Sequence, residues 1–140
     1  MKYLLIIFSL LLTSVSWSEE NKRQNISLYN TLENNKWKKR ILLLITKEED
    51  ITLVNEVNEF FITQKCKNEE RNLELLKIIK DNYDIKTPDY FQNKTGIWLI
   101  GYDGYIKAYT EDNSLLSNVH NLIDNMPIRK EEIKELKKKC

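Results

Sequence analysis

Cys66 and Cys140 are the two thiols of this sequence and His120 is its one imidazole. A structural zinc cage takes four Cys or His ligands, so these three residues point to no metal centre, and three Gly are too few for a glycine-rich phosphate loop. Cys66 falls near the end of a predicted helix, where the helix dipole disfavours a thiolate while the flanking Lys65 and Lys67 favour one. Cys140 shares a predicted helical face with Ile133 and Leu136, whereas Cys66 lies off the apolar stripe of its own helix. The pair stays open between free thiols, ranked first, a structural disulfide, ranked second, and a redox pair in which Cys66 attacks and Cys140 resolves. A bridge would close a long loop and contribute roughly 4 kcal/mol on chain-entropy reasoning.

Ser117, His120 and Asp124 are spaced to share one helix face, which superficially suits a nucleophile, a base and its orienting acid. A helix surface offers no strained nucleophile turn and no oxyanion hole, so a solvated polar face is the expected reading. Asp124 and Arg129 bracket Met126-Pro127 and are placed to pair across a helix break. A second possibility is that Arg71, Lys107 and Arg129 converge with Asp103 and Asp124 on a pocket for an anion or a peptide carboxylate.

The 140 residues carry 22 Lys and Arg against 21 Asp and Glu, a net charge of +1. Balanced charge argues against a nucleic-acid binder, and 31% charged residues argue against a multi-spanning membrane protein. Met1-Lys2, the apolar run Tyr3 to Leu12 and the small polar residues Thr13 to Ser18 read as a signal peptide cleaved after Ser18. That run is shorter than the roughly 20 residues that cross a bilayer. The expected location is therefore periplasmic or secreted, an oxidising compartment in which Cys66 and Cys140 can pair.

Residues 19–36 read as a polar leader with a short edge helix around Ile26, Leu28, Tyr29 and Leu32, and residues 37–140 as a single domain whose core starts at Trp37. Arg40 to Ile45 is a continuous apolar run behind one charge, as in a strand buried on both faces. Val54, Val57, Phe60 and Phe61 follow helical spacing between Glu49 and Gln64, and Arg71 to Ile79 reads as a second strand, parallel to the first. Asp81 to Thr95 is a loop or a short poor helix. Gly96 to Gly101 and Ile106 to Tyr109 are strands joined by an Asp103-Gly104 hairpin turn. Ser114 is the expected cap of a helix with the stripe Leu115, Val119, Leu122, Ile123 and Met126, and Pro127 opens a further charged helix.

This order, β-α-β-(α)-β-β-α with an added C-terminal helix, is that of an α/β thioredoxin-like sandwich with a small mixed sheet. Trp37-Lys38-Lys39-Arg40, the stretch Leu99 to Lys107 with its Gly101-Tyr102-Asp103-Gly104, and Ile123 to Glu132 with its Asp124-x-Met126-Pro127-x-Arg129 resemble a domain family of unknown function. That family occurs in small exported bacterial proteins and in animal extracellular proteins of the sushi-repeat-containing and coiled-coil-containing groups, and it is described as thioredoxin-like or peroxiredoxin-like. The matching positions are Trp37, Arg40, Arg71, Gly101, Asp103, Gly104, Lys107, Asp124, Met126, Pro127, Arg129 and Glu132. The wording departs at Tyr102, where the family usually has Lys, and at Asn72, where it has Asp.

The resemblance implies a fold more than an activity. In thioredoxin-type folds the reactive Cys opens the first helix, which here would be Thr46-Lys47-Glu48-Glu49-Asp50, a segment with no Cys and three acids opposed to a thiolate. The sequence thus points to an exported, non-catalytic binding or assembly module for a protein or peptide partner, with no cofactor. The alternative is an atypical thiol oxidoreductase or peroxidase-like enzyme that uses Cys66 and Cys140.

Overall fold

A computed structural model describes residues 27–80, 88–91, 93–136 and 140; the expected signal at 1–18, residues 81–87 of the expected loop and the lysines at 137–139 lie outside the described residues. The apolar run behind Arg40 forms strand β1 (Arg40–Thr46), and every residue of it is buried. Two conditions produce that burial. Both edges of β1 are paired, in parallel with β2 (Leu73–Ile79) and antiparallel with β3 (Gly96–Ile100), and β3 pairs in turn with β4 (Ile106–Thr110). The sheet order is β2-β1-β3-β4, so the most continuous apolar run takes an inner position.

Both faces of this sheet are covered as well. Leu42 and Leu44 alternate with Ile41, Leu43 and Ile45, as strand geometry requires. The first set packs with Leu53 and Val57 of helix α2 (Ile51–Thr63) and with Val119 and Ile123 of a later helix. The second set packs with Leu28 of α1 (Leu28–Asn35), with Phe91 and with Trp98, whose ring stacks on Tyr109 at 4.6 Å. Phe91 belongs to a three-residue 3-10 turn, Asp89–Phe91, too short for any periodicity to announce it.

The connections follow the local chemistry. Asp50 caps α2, its carboxylate accepting from the Leu53 N–H at 3.4 Å. The chain breaks at Gln64 and continues as α3 (Lys65–Glu70) before entering β2. After β4 the expected cap, Ser114, instead sits inside a 3-10 turn, Asn113–Ser117, capped by Asp112, which accepts from the Ser114 N–H at 2.9 Å. The stripe is kept, because Leu115, Val119 and Ile123 are all buried as that turn passes into α4 (Val119–Asp124). Met126 is extended, at φ −69° and ψ 140°, and Pro127 starts α5 (Pro127–Glu135), which ends the α4 direction as expected. The molecule is the expected mixed α/β fold, consistent with a small thioredoxin-like sandwich that carries a C-terminal helix.

Two turns set up the site described next. In the β3–β4 hairpin the Gly101 N–H donates to Tyr105 O and the Gly104 N–H to Gly101 O, both at 3.0 Å. Gly104 has φ +78°, the left-handed conformation that closes a three-residue hairpin loop. At the entry to β1, Trp37 is also left-handed, at φ +60°, and its ring is 69% exposed. The core therefore does not begin at Trp37: it takes in Leu28 of α1 before it and resumes at Arg40, because the backbone reversal after α1 leaves Trp37 exposed. Replacing Gly104 by Ala forces a Cβ into the left-handed region and against the Lys36 side chain. Chemical denaturation of Gly104→Ala is expected to show a loss of about 1–2 kcal/mol.

Candidate functional site

The pole of the sheet where β1 begins concentrates charge. Arg40 is the first residue of β1, and its side chain is 1% exposed. A buried guanidinium requires partners for its N–H groups. One terminal nitrogen donates to Arg71 O at 2.7 Å, the two terminal nitrogens reach the Glu132 carboxylate at 3.2 and 3.4 Å, and the guanidinium carbon lies 4.0 Å from the centre of the Tyr102 ring. Glu132 comes from α5, so the pair fixes that helix to the sheet.

The network runs on through α5. Arg129, also buried, donates to Asp124 at 3.3 Å, to Glu70 O at 2.9 Å and to Glu132 at 3.4 Å. Arg71 donates to Asp124 at 2.6 Å and lies 3.5 Å from the Glu70 carboxylate. Three arginines and the carboxylates of Glu70, Asp124 and Glu132 thus form one connected, formally neutral cluster. Burial pushes the Asp124 carboxyl up, but the hydrogen bonds and charges of Arg71 and Arg129 outweigh it and hold the group below the usual carboxylate range.

Asp124 and Arg129 pair across the helix break, as their spacing predicts. The wider convergence holds only in part. Arg71, Arg129 and Asp124 meet, whereas Lys107 binds Asp103 at 2.6 Å on the hairpin and makes no ion pair with them. Gly101 permits that hairpin pair, since a Cβ there would stand 2.5 Å from a Lys107 side-chain carbon.

Sequence reasoning did not assign Tyr102 or Glu70 to the site. The Tyr102 ring lies against Arg40, its carbonyl accepts from the Trp37 N–H at 2.8 Å, and its hydroxyl accepts from the Asn72 side-chain amide at 2.9 Å. Asn72 is left-handed at φ +51°, a conformation Asn tolerates. Tyr102 and Asn72, both noted in the sequence for their departure from the wording it resembles, touch as an amide–phenol pair.

A groove of about 330 Å³, lined by Glu70, Arg71, Asp124, Arg129, Ile133 and Leu136, opens on the cluster itself, and two more flank Tyr102. One, of about 570 Å³, runs between the hairpin loop, with Tyr102, Asp103 and Lys107, and the α4–α5 junction, with Leu122, Met126 and Ile128. The other, of about 310 Å³, lies on the far side of Tyr102 between Glu69 and Glu70 of α3 and Glu132 and Leu136. A domain family described as "Domain of unknown function (DUF4174)" matches residues 31–132. The chain belongs to this family. The matched span holds all three arginines of the cluster and their three acids, Glu132 being its final residue, and it leaves Cys140 outside. Searches of curated proteins and of solved structures matched nothing to the chain.

Cys66 and Cys140 are joined by a disulfide, with Cα atoms 6.0 Å apart, so they are not the free thiols ranked first from the sequence. Two helix breaks explain the difference. The break at Gln64 puts Cys66 in the first turn of α3 and not at the tail of a longer helix, so the dipole argument made for it does not apply. α5 ends at Glu135 with Leu136 extended, so Cys140 is not on the helical face of Ile133.

Ser117, His120 and Asp124 find separate partners. The Ser117 hydroxyl donates to Ser114 O, His120 Nε2 lies 2.6 Å from Asn68 Oδ1, and Asp124 binds the arginines. His120 does not belong to a solvated face. It is half-buried against Phe60, and burial, followed by the charges of Arg71 and Lys67, lowers its pKa from 6.5 to about 4, with Asp124 opposing.

Two outcomes follow. Arg129→Ala removes a buried charge from between Asp124 and Glu132, and thermal or urea unfolding should show a loss of about 3 kcal/mol. Because His120 is neutral in the folded protein and readily protonated when unfolded, the unfolded chain binds more protons between pH 6.5 and about 4. Stability is therefore complete above pH 6.5 and declines as pH falls through that window. His120→Gln should flatten this part of the pH profile.

Proposed function

We propose that this protein is an exported, non-catalytic binding module that takes an extended peptide segment of a protein partner in the 570 Å³ groove. The observation that carries this reading is the origin of the groove's walls. Leu99 to Lys107 and Ile123 to Glu132, two of the three stretches that carry the family resemblance, face each other across it. The volume suits a ligand of a few side chains, and the lining pairs apolar Leu122, Met126 and Ile128 with the polar ends Asp103, Lys107 and Asn125. Such a surface accepts an apolar anchor while its polar rim fixes the direction of the chain.

Export is the reading of the leader, and the disulfide accords with an oxidising compartment. Binding is favoured over thiol chemistry because neither cysteine lines the groove and the segment Thr46 to Asp50 that leads into α2 holds no Cys.

The test is selection of a displayed random-peptide library on the purified protein, followed by affinity measurement on two surface variants. Ile128→Asp places a carboxylate in the first turn of α5, which a helix tolerates, and Lys107→Glu reverses the rim charge. Selected peptides should bind both variants about tenfold or more weakly than the parent protein. Peptides that bind all three proteins alike, or no enrichment at all, would overturn the reading.

A further inference from the structure

α5 differs from the other sheet-covering helices in what holds it. α2 and α4 dock through apolar side chains that are fully buried, Val57 on one and Val119 and Ile123 on the other. The buried residue of α5 is an arginine, and Ile128, Ile133 and Leu136 remain 43%, 48% and 47% exposed. Its noncovalent attachment is ionic, through Arg129 and Glu132, and buried ion pairs return little net stability after desolvation. Its other attachment is covalent, the bond from Cys66 on α3 to Cys140 beyond the end of α5.

We propose that the Cys66–Cys140 disulfide is a redox latch that keeps α5 docked, and with it one wall of the groove. Three observations support a latch over a plain staple. Both half-cystines are exposed, and exposed bridges are the ones that thiol exchange reaches and reduces. Lys65 and Lys67 flank Cys66 in sequence, and neighbouring positive charge favours a departing thiolate, Lys65 also facing Glu69 at 3.8 Å. The bridge also fastens a residue inside the family span to one outside it, so it closes over a fold whose sheet is complete without it.

The reductant is a dithiol. One of its thiolates attacks Cys140 Sγ, forming a mixed disulfide and breaking the protein S–S bond, and Cys66 leaves as a thiolate that takes a proton from solvent. The second thiol of the reductant then attacks the mixed disulfide. Cys140 is released and protonated, the reductant departs as its own disulfide, and two electrons and two protons have passed to the protein. With the bond open, α5 is held by its ion pairs, the Arg129 hydrogen bond to Glu70 O and half-covered apolar side chains, and its departure takes Glu132 from Arg40 and removes Pro127 and Ile128 from the groove. The loss of the groove rests on the binding reading above, whereas the latch does not.

Hydrogen exchange on the full chain, oxidised, reduced with dithiothreitol, and as Cys140→Ser, tests the latch without any ligand. Opening the bond lowers global stability in either case, so the deciding quantity is relative. The latch predicts that amides of residues 130–135 lose protection by at least about tenfold more than those of β1 and β3, in both the reduced protein and the variant. Equal loss across α5, β1 and β3 would mean a staple of the whole fold, and unchanged α5 amides would mean that the bond does not hold the helix. Either result overturns the latch. Failure of the peptide selection alone would leave it standing.

Discussion

Arg40 occupies the first position of a strand that is buried along its whole length, and the remainder of this pole is arranged around that charge. A guanidinium withdrawn from water costs several kcal/mol unless its donors are matched. The chain matches the two terminal nitrogens, leaving Nε buried without a hydrogen-bond partner, with groups remote in sequence: the Arg71 carbonyl where α3 gives way to β2, the Glu132 carboxylate on α5 and the Tyr102 ring on the hairpin. Each of these fixes the position of an element. The Arg71 carbonyl aligns the start of β2 with that of β1, Glu132 sets the docking of α5, and Tyr102 brings the hairpin loop over the end of the sheet. Arg129 and Arg71 continue the pattern by tying the α4–α5 break to α3 through Asp124 and Glu70.

The two ends of β1 therefore have different characters. Seven residues of strand separate them by about 20 Å. The end that leads into α2 is built from Thr46, Lys47 and a run of acids, with Asp50 spent on capping the helix. The end at Arg40 carries the ion-pair cluster, both grooves flanking Tyr102 and the family-like stretches. Thioredoxin-type chemistry uses the first of these ends, which here carries a pocket of about 270 Å³ beside Asp50, Leu53 and Asp112, whereas the second holds the larger groove of about 570 Å³. The separation gives a physical reason to look for function as recognition at the Arg40 end.

Two kinds of adhesion divide the molecule. The sheet with α1, α2 and α4 is held by interdigitated apolar side chains on both faces, a contribution that grows with area and is shared over many contacts. α5 is held by a few directional charge contacts and one covalent bond. Ion pairs depend on geometry, so a helix held in this way can be displaced while the sheet stays intact. The wall it gives to the groove inherits that property.

Much of the fold is legible in the sequence because its signals are local. The apolar run of β1, the helical spacing of Val54 and Val57, the stripe Leu115, Val119 and Ile123, the left-handed Gly104 and the break at Pro127 each follow from the periodicity or conformational limits of adjacent residues. The charged site was legible only in outline: Asp124 and Arg129 are five residues apart and could be paired by spacing, whereas Arg40 and Glu132 are 92 apart. No periodicity marks a charge for burial. Trp37 shows the same limit from the other side, since its type suggests core and one left-handed backbone angle puts it in solvent. The sequence by itself determined the strands, α2, the stripe that α4 buries, the break before α5 and the order of these elements, through periodicity and turn chemistry, but neither α3 nor the turn Asp89–Phe91. Only the tertiary structure decided which arginine meets which acid, that Tyr102 joins them and that Cys66 meets Cys140, because those pairings depend on the angles at which the Gln64 and Pro127 breaks aim the helices.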